Sequence, residues 1–315
     1  MISLEGKRAF VTGGGRGIGR ATALMLAQAG ASVAVGYRSR RAEADETLAG
    51  VRRLRRLAIG VAGDLGDPAA AGRAVDEAVQ GLEGLELLIV NHGIWPPEDV
   101  PVAAMADGQW DATLRANLNS VLYVCRAAIP LLPDGGRIVL VSSTAGQRGE
   151  AFHADYAATK GAVIAFTKSL AVELAPRRIN VNCVAPGWVD TEMAAIPYSR
   201  EAGGGKREIE RTIPLGRVAS PEDCAGPIVF LCSELAPRRI TVNCVAPGWV
   251  ETEMSQEAYA REGGARRREI EGTIPLGRVA SAEDCAGPIV FLCSDLARHI
   301  TGEILNVNGG SVLCG

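Results

Sequence analysis

The sequence has little that would mark it for nucleic acid, membrane or metal. Aromatic residues make up 4% of the chain, the formal net charge is -3, and no basic stripe is interleaved with aromatics, so the electrostatic footprint of a nucleic-acid binder is missing. The one local basic run, Arg52 to Arg56 around Leu54, sits where a helix meets a strand and reads as a solvated helix face. No apolar stretch reaches the roughly 18 residues that span a bilayer, and the opening Met1-Ile2-Ser3-Leu4-Glu5 has no signal-peptide core. A cytoplasmic protein with neither a membrane nor a nucleic-acid partner is expected. His92, His153 and His299 stand apart, without the His or Cys spacing of a metal site. Of the 8 cysteines, Cys183, Cys224 and Cys232 recur as Cys244, Cys285 and Cys293, which leaves only Cys125 and Cys314 outside a pattern. Free buried thiols behaving as small hydrophobes are expected, and not a disulfide framework.

That recurrence belongs to a longer repeat. Residues 173–233 and 234–294 align without gaps at an offset of 61, with 13 differences concentrated at 194–206 against 255–267. The divergent stretch reads as a loop. Nothing before residue 173 shares the period, and solenoids need three or more units to bury a continuous core, so a single segmental duplication fits better. Removing one copy leaves a length ordinary for one α/β domain. One Rossmann-type domain over 1–315, carrying the internal repeat, is expected.

Glycine is abundant, 38 of 315, and 47% of residues are hydrophobic, which suits a compact fold with many tight turns. Short apolar runs at Arg8–Thr12, Ser32–Tyr37, Ala58–Ala62, Leu87–Asn91 and Arg137–Ser142 alternate with helical spacing over Gly17–Ala29, 68–80, 110–130 and 156–174. Each repeat copy adds a strand (179–184 and 240–245) and a helix (221–232 and 282–293), and a last strand follows at Ile304–Val307. This order predicts an α/β fold, a doubly wound parallel Rossmann-type sheet with an extra strand–helix unit at one edge.

The first turn reads Thr12-Gly13-Gly14-Gly15-Arg16-Gly17-Ile18-Gly19. Glycines there let the backbone approach a pyrophosphate, and the following helix presents unpaired N–H groups and a partial positive charge. An acid at the end of the second strand would bind the ribose 2′-hydroxyl of NAD. This chain has Tyr37-Arg38-Ser39 instead, and Arg38 with Arg16 suits the 2′-phosphate of NADP(H). Asp64, Leu65, Asn91, His92 and Gly93 fall at carboxyl ends of strands, where such a sheet binds ligand, although each could be an ordinary turn residue.

Tyr156 and Lys160 stand at i,i+4 on a predicted helix, so phenol and ammonium share a face. An adjacent Lys⁺ and the positive nicotinamide of an oxidised cofactor both favour phenolate and would let Tyr156 exchange a proton with a substrate oxygen. Ser143 at a strand end could bind the same oxygen, with Ser142 as competitor. Asn117 either bends its helix or caps one.

Together, Thr12 to Gly19, Asn91–Gly93, Asn117, Ser143, Tyr156, Lys160 and Pro186-Gly187 resemble the short-chain dehydrogenase/reductase family in its single-domain form. The resemblance implies a catalytic tetrad of Asn117, Ser143, Tyr156 and Lys160, with the serine thirteen residues before the tyrosine selecting Ser143. It also implies nicotinamide contacts from Pro186, Gly187, Val189 and Thr191, and a homo-oligomer, dimer or tetramer, built through the helices near 110–130 and 156–174. Ile213-Pro-Leu-Gly-Arg217 and Asn306-Val-Asn-Gly-Gly310 resemble the 3-oxoacyl-acyl-carrier-protein reductases. Two departures stand out: Val90-Asn91-His92-Gly93 replaces the family's usual Asn-Asn-Ala-Gly, and the substrate-loop region is doubled.

The expected activity is NADPH-dependent reduction of a carbonyl, with a 3-oxoacyl thioester as one substrate class and Tyr156 as acid/base. An NAD(P)-dependent alcohol or sugar dehydrogenase, and a cofactor-binding relative impaired by the duplication, remain open. Copy two offers Pro247, Gly248, Val250 and Thr252 for the same contacts, but chain order favours copy one, which follows the Tyr156 helix directly.

Overall fold

The computed structural model describes residues 3–195, 198, 204–213, 216–233, 244–247, 265–293 and 304–307. Two compact units divide the chain, Met1–Ser233 and Glu234–Gly315.

In the first unit, strands β1 (Arg8–Thr12), β2 (Ser32–Tyr37), β3 (Ala58–Ala62), β4 (Leu87–Val90), β5 (Arg137–Val141) and β6 (Asn180–Val184) form one sheet in the order β3-β2-β1-β4-β5-β6. Every pairing in it is parallel. Helices α1 (Gly17–Gln28), α2 (Arg41–Arg53), α3 (Pro68–Leu82), α4 (Asp107–Leu114), α5 (Ser120–Ala128), α6 (Thr144–Arg148), α7 (Ala154–Leu174), α8 (Gly204–Thr212) and α9 (Pro221–Leu231) connect or follow them. The doubly wound Rossmann-type sheet expected from the sequence is the fold.

Its two layers follow from strand periodicity, because successive side chains point to opposite faces. Phe10, Ala34, Leu88, Val90, Ile138 and Leu140 enter one buried cluster with Val75 of α3, Val124 of α5 and Leu170 of α7. Their neighbours Ala9, Val11, Val33, Val35, Ile89, Val139 and Val141 enter the other, with Leu26 of α1, Val51 of α2 and Ile228 of α9. Burial on both faces explains why these strands read as continuous apolar runs.

The span 110–130, expected as one helix, is α4 and α5 joined by a π-turn over Arg115–Asn119. Asn117 is fully buried in the π-turn and caps no helix. The divergent stretch of copy one, expected as a loop, is helical from Gly204.

In the second unit, β7 (Cys244–Pro247) pairs in parallel with β8 (Ile304–Val307), and α10 (Ala265–Thr273) and α11 (Ala282–Cys293) are the repeat equivalents of α8 and α9. The strand of copy two thus lies in a two-stranded sheet with β8, and the extra strand expected at the edge of the large sheet is found there instead. Local chemistry repeats as well: Arg217 pairs with Asp223 at 2.6 Å and Arg278 with Asp284 at 2.6 Å. Ser220 and Ser281 each accept the backbone N–H of that aspartate at 3.2 Å. Both copies therefore start this helix with the same reciprocal cap.

No described helix is long and apolar enough to cross a membrane, and no metal-holding cluster of His, Cys, Asp or Glu occurs among the described residues.

Candidate active site

Strand order reverses between β1 and β4, and the crevice outside the carboxyl ends of the strands at such a point is where open α/β sheets bind ligand. A cleft of about 390 Å³ opens there. The sheet brings to it Gly13, Gly15, Arg16, Gly17 and Ile18 after β1, Tyr37, Arg38 and Ser39 after β2, Asp64 and Leu65 after β3, and Asn91 and Gly93 after β4. Ser143, Tyr156 and Lys160 share the cleft with Pro186, Gly187, Val189 and Thr191. All of these lie in the first unit, so the strand end that lines the cleft is copy one's. Of the copy-two counterparts, Pro247 ends β7, while Gly248, Val250 and Thr252 lie outside the described residues.

The glycine turn fits a dinucleotide pyrophosphate. Gly13 and Gly17 hold φ of +63° and +50°, which side chains rarely adopt, and Gly17 abuts Thr191 so closely that a Cβ would sit 3.1 Å from its Cγ2. Arg16 precedes α1 in extended conformation and gives no side-chain cap, which leaves the first N–H groups of a twelve-residue helix for a ligand. Thr12 and Gly19, expected at the cofactor, stand behind the cleft wall; the Thr12 hydroxyl accepts the Asn91 N–H at 3.0 Å. Asp64 faces the cleft while its carboxylate pairs with Arg115 at 2.8 Å and accepts the Gly66 N–H at 3.1 Å.

At the other group of residues, Ser143 precedes α6, accepts the Ala145 N–H at 3.1 Å and faces the cleft with Tyr156. Ser142, its competitor, donates instead to Lys160 O at 2.7 Å and is committed to the α7 backbone. Lys160 Nζ donates to Val141 O at 3.0 Å and lies 5.8 Å from the centre of the Tyr156 ring. Gly93 makes room for this arrangement, because a Cβ there would sit 3.0 Å from Asn117 Oδ1 and 3.5 Å from Lys160 Nζ.

Burial pushes the Tyr156 phenol up to about 12, Ser143 offsets part of this, and the Glu150 charge adds to it. Burial likewise pulls Lys160 down to about 8. Tyr156 is therefore held as a neutral phenol. His92 is held down to about 3 by burial and the Lys160 charge, so its ring is neutral.

Several cleft residues carried no sequence signal. Ile94, Trp95, Glu150 and Trp188 line it from irregular segments, and Arg148 and Met193 from helical stretches of five residues or fewer, where no periodicity marks a side chain as facing inward. Trp95 stacks on His153 with ring centres 4.3 Å apart and donates to Glu150 at 3.4 Å. Their only legible mark was adjacency in sequence to Gly93, Tyr156 and Gly187.

A parallel doubly wound sheet with a glycine turn and a buried Ser–Tyr–Lys group at one crevice defines a dinucleotide-dependent oxidoreductase. Comparison with known proteins gives the family. The family described as enoyl-(acyl carrier protein) reductase matches residues 13–237 and again 231–311. A 3-oxoacyl-[acyl-carrier-protein] reductase of Aquifex aeolicus is 39% identical over 239 residues, covering 75% of this chain and 93% of its own length. Versicolorin reductase of Emericella nidulans is 36% identical over 309 residues, 98% of this chain and 96% of its own. A short chain dehydrogenase from Burkholderia cenocepacia, solved in complex with NADP, superposes with a TM-score of 0.60 at 30% identity, covering 98% of both chains. The chain belongs to the short-chain dehydrogenase/reductase family, whose members are oxidoreductases that use NAD(P).

Proposed function

We propose that the protein is an NADPH-dependent carbonyl reductase in which Tyr156 donates a proton to the substrate oxygen. The observation that carries this is that Ser143, Tyr156 and Lys160 face the same cleft as the glycine turn.

Bound in the cleft, the dihydronicotinamide supplies the hydride that a carbonyl carbon accepts. The protein's own residues do the rest. Ser143 orients the carbonyl oxygen beside Tyr156 and hydrogen-bonds the charge that develops on it. Tyr156 gives up its proton to that oxygen. Lys160, cationic below about 8, stabilises the phenolate left behind. Asn117 holds the Ile94 backbone at the wall of the cleft through two hydrogen bonds.

For the cofactor, Arg38 lines the cleft where an acid would select NAD, and Arg40 beside it is paired with Glu43 at 2.9 Å. These residues support NADPH as the working form, with Arg38 and Arg16 on the 2′-phosphate. The first unit supplies the cleft residues among those described, which supports an active enzyme in spite of the duplication. A 3-oxoacyl thioester is the proposed substrate class, on the likeness to the Aquifex reductase. A homo-oligomer is also proposed; exposed Trp110 of α4, Leu122 of α5 and Val172 of α7 give the helices apolar surface to cover.

The test is consumption of NADPH with a panel of small ketones and an acetoacetyl thioester, run beside Tyr156→Phe. Turnover that falls about a hundredfold or more in the variant supports the reading. Binding of NADPH without turnover in the unaltered protein overturns it.

A further inference from the structure

Where the family's usual motif has alanine, this chain has His92, and its ring joins two parts of the site. Nδ1 lies 2.8 Å from Thr12 Oγ1, at the end of β1 where the glycine turn begins. Nε2 lies 2.8 Å from Ser120 Oγ, the residue that follows the π-turn of Asn117. We propose that His92 is a positioning residue, a neutral imidazole with its proton fixed on Nε2 that ties the glycine turn to the turn carrying Asn117.

Proton bookkeeping fixes the tautomer. Ser120 has one hydroxyl proton and sits 2.7 Å from Ala116 O, a carbonyl that can only accept. That proton is therefore directed at Ala116, and Ser120 can meet His92 only as an acceptor. Nε2 then carries the ring proton. In a neutral ring Nδ1 must accept, and its partner is the Thr12 hydroxyl, whose other acceptor, Ile89 O, is farther away at 3.3 Å. The reverse tautomer would keep the longer Thr12 contact and set two oxygens without a shared proton 2.7 Å apart at Ser120 and Ala116. Doubly protonated imidazole would satisfy both hydroxyls, but the partial desolvation of the ring and the Lys160 charge disfavour it.

The result is one directed chain: the Asn91 N–H to Thr12 Oγ1, the Thr12 hydroxyl to His92 Nδ1, His92 Nε2–H to Ser120 Oγ, and the Ser120 hydroxyl to Ala116 O. It ends on the residue before Asn117. Asn117 in turn clasps the backbone of Ile94, two residues after His92. The segment 91–94 is thus stitched to the π-turn at two points, and the amide in the tetrad is held in register with the cofactor turn. An alanine at 92 could supply only the second of these.

The inference rests on the proposed reductase reading, and its test separates the two. In protein labelled with nitrogen-15 histidine, His92 is expected as a neutral Nε2–H ring that does not titrate across the neutral range, with His153→Asn and His299→Asn assigning the other rings. An Nδ1–H tautomer, or a ring that gains a proton near neutrality, overturns the inference whether or not the protein turns over a ketone. In the kinetic arm, His92→Ala lowers kcat about tenfold to a hundredfold while KM for NADPH holds, since a small misplacement of the reacting groups has that effect. Ser120→Ala does the same, and the double variant loses no more than either single one. Losses that multiply, or variants that melt earlier with kcat intact, overturn the positioning role. Failure of the reductase reading would show separately, as turnover unaffected by Tyr156→Phe.

Discussion

Asn117 meets Ile94 with both ends of its amide: Nδ2 donates to Ile94 O at 2.9 Å and Oδ1 accepts the Ile94 N–H at 2.7 Å. A side chain here does what a neighbouring strand would do, satisfying the main chain where β4 has ended. Asn117→Ala leaves two backbone groups unpaired, and a loss of about 1–3 kcal/mol for each unsatisfied buried group is the expected scale. Chemical denaturation should register the lower stability, and kcat should fall with it because Gly93 and Ile94 form part of the cleft wall.

Turnover should fall as pH rises through about 8, where Lys160 loses its charge. The sign follows from the lowered value: the cation that stabilises the phenolate exists below it and is absent above it. Lys160→Met should give a lower rate with that limb of the profile removed. Stability should move in the opposite sense, since above about 8 the folded state has released a proton that the unfolded chain still holds, so folding gains with pH until the unfolded lysine titrates. A pH series of kcat beside one of denaturation midpoints checks both.

Cofactor choice should turn on Arg38. Charge-assisted hydrogen bonds to a phosphate contribute about 1.5–3 kcal/mol, so Arg38→Ala should raise KM for NADPH by about tenfold or more and leave NADH little changed. Parallel saturation curves with the two cofactors measure this directly. An equal effect on both would mean that the arginine does not meet the 2′-phosphate.

Gly146 sets how closely α6 approaches α7. A Cβ there would overlap the Lys160 carbonyl carbon and sit 2.6 Å from Gly161 N, both backbone, so neither can swing aside. Gly146→Ala should displace the Lys160 backbone, weaken the Ser142 hydrogen bond to it and lower kcat more than it raises KM for NADPH. Gly108→Ala, on α4 with open space at the same position, is the control and should leave both unchanged.

Much of this protein was legible before its structure. The strands were legible as short apolar runs around Phe10 and Leu88, because strands buried on both faces are apolar throughout, and such a run is a local property of the chain. The glycine turn and the Tyr156–Lys160 spacing were readable for the same reason, each confined to a few consecutive residues. Tertiary structure decided what depends on neighbours distant in the chain. It showed Ser143 beside Tyr156 while Ser142 is committed to the Lys160 backbone, and it placed copy one's strand end in the cleft. It buried Tyr156 and Lys160 together, which pushes the phenol up and pulls the ammonium down. It also gave His92 two partners, Thr12 and Ser120, 80 and 28 residues away, which no local pattern could have paired.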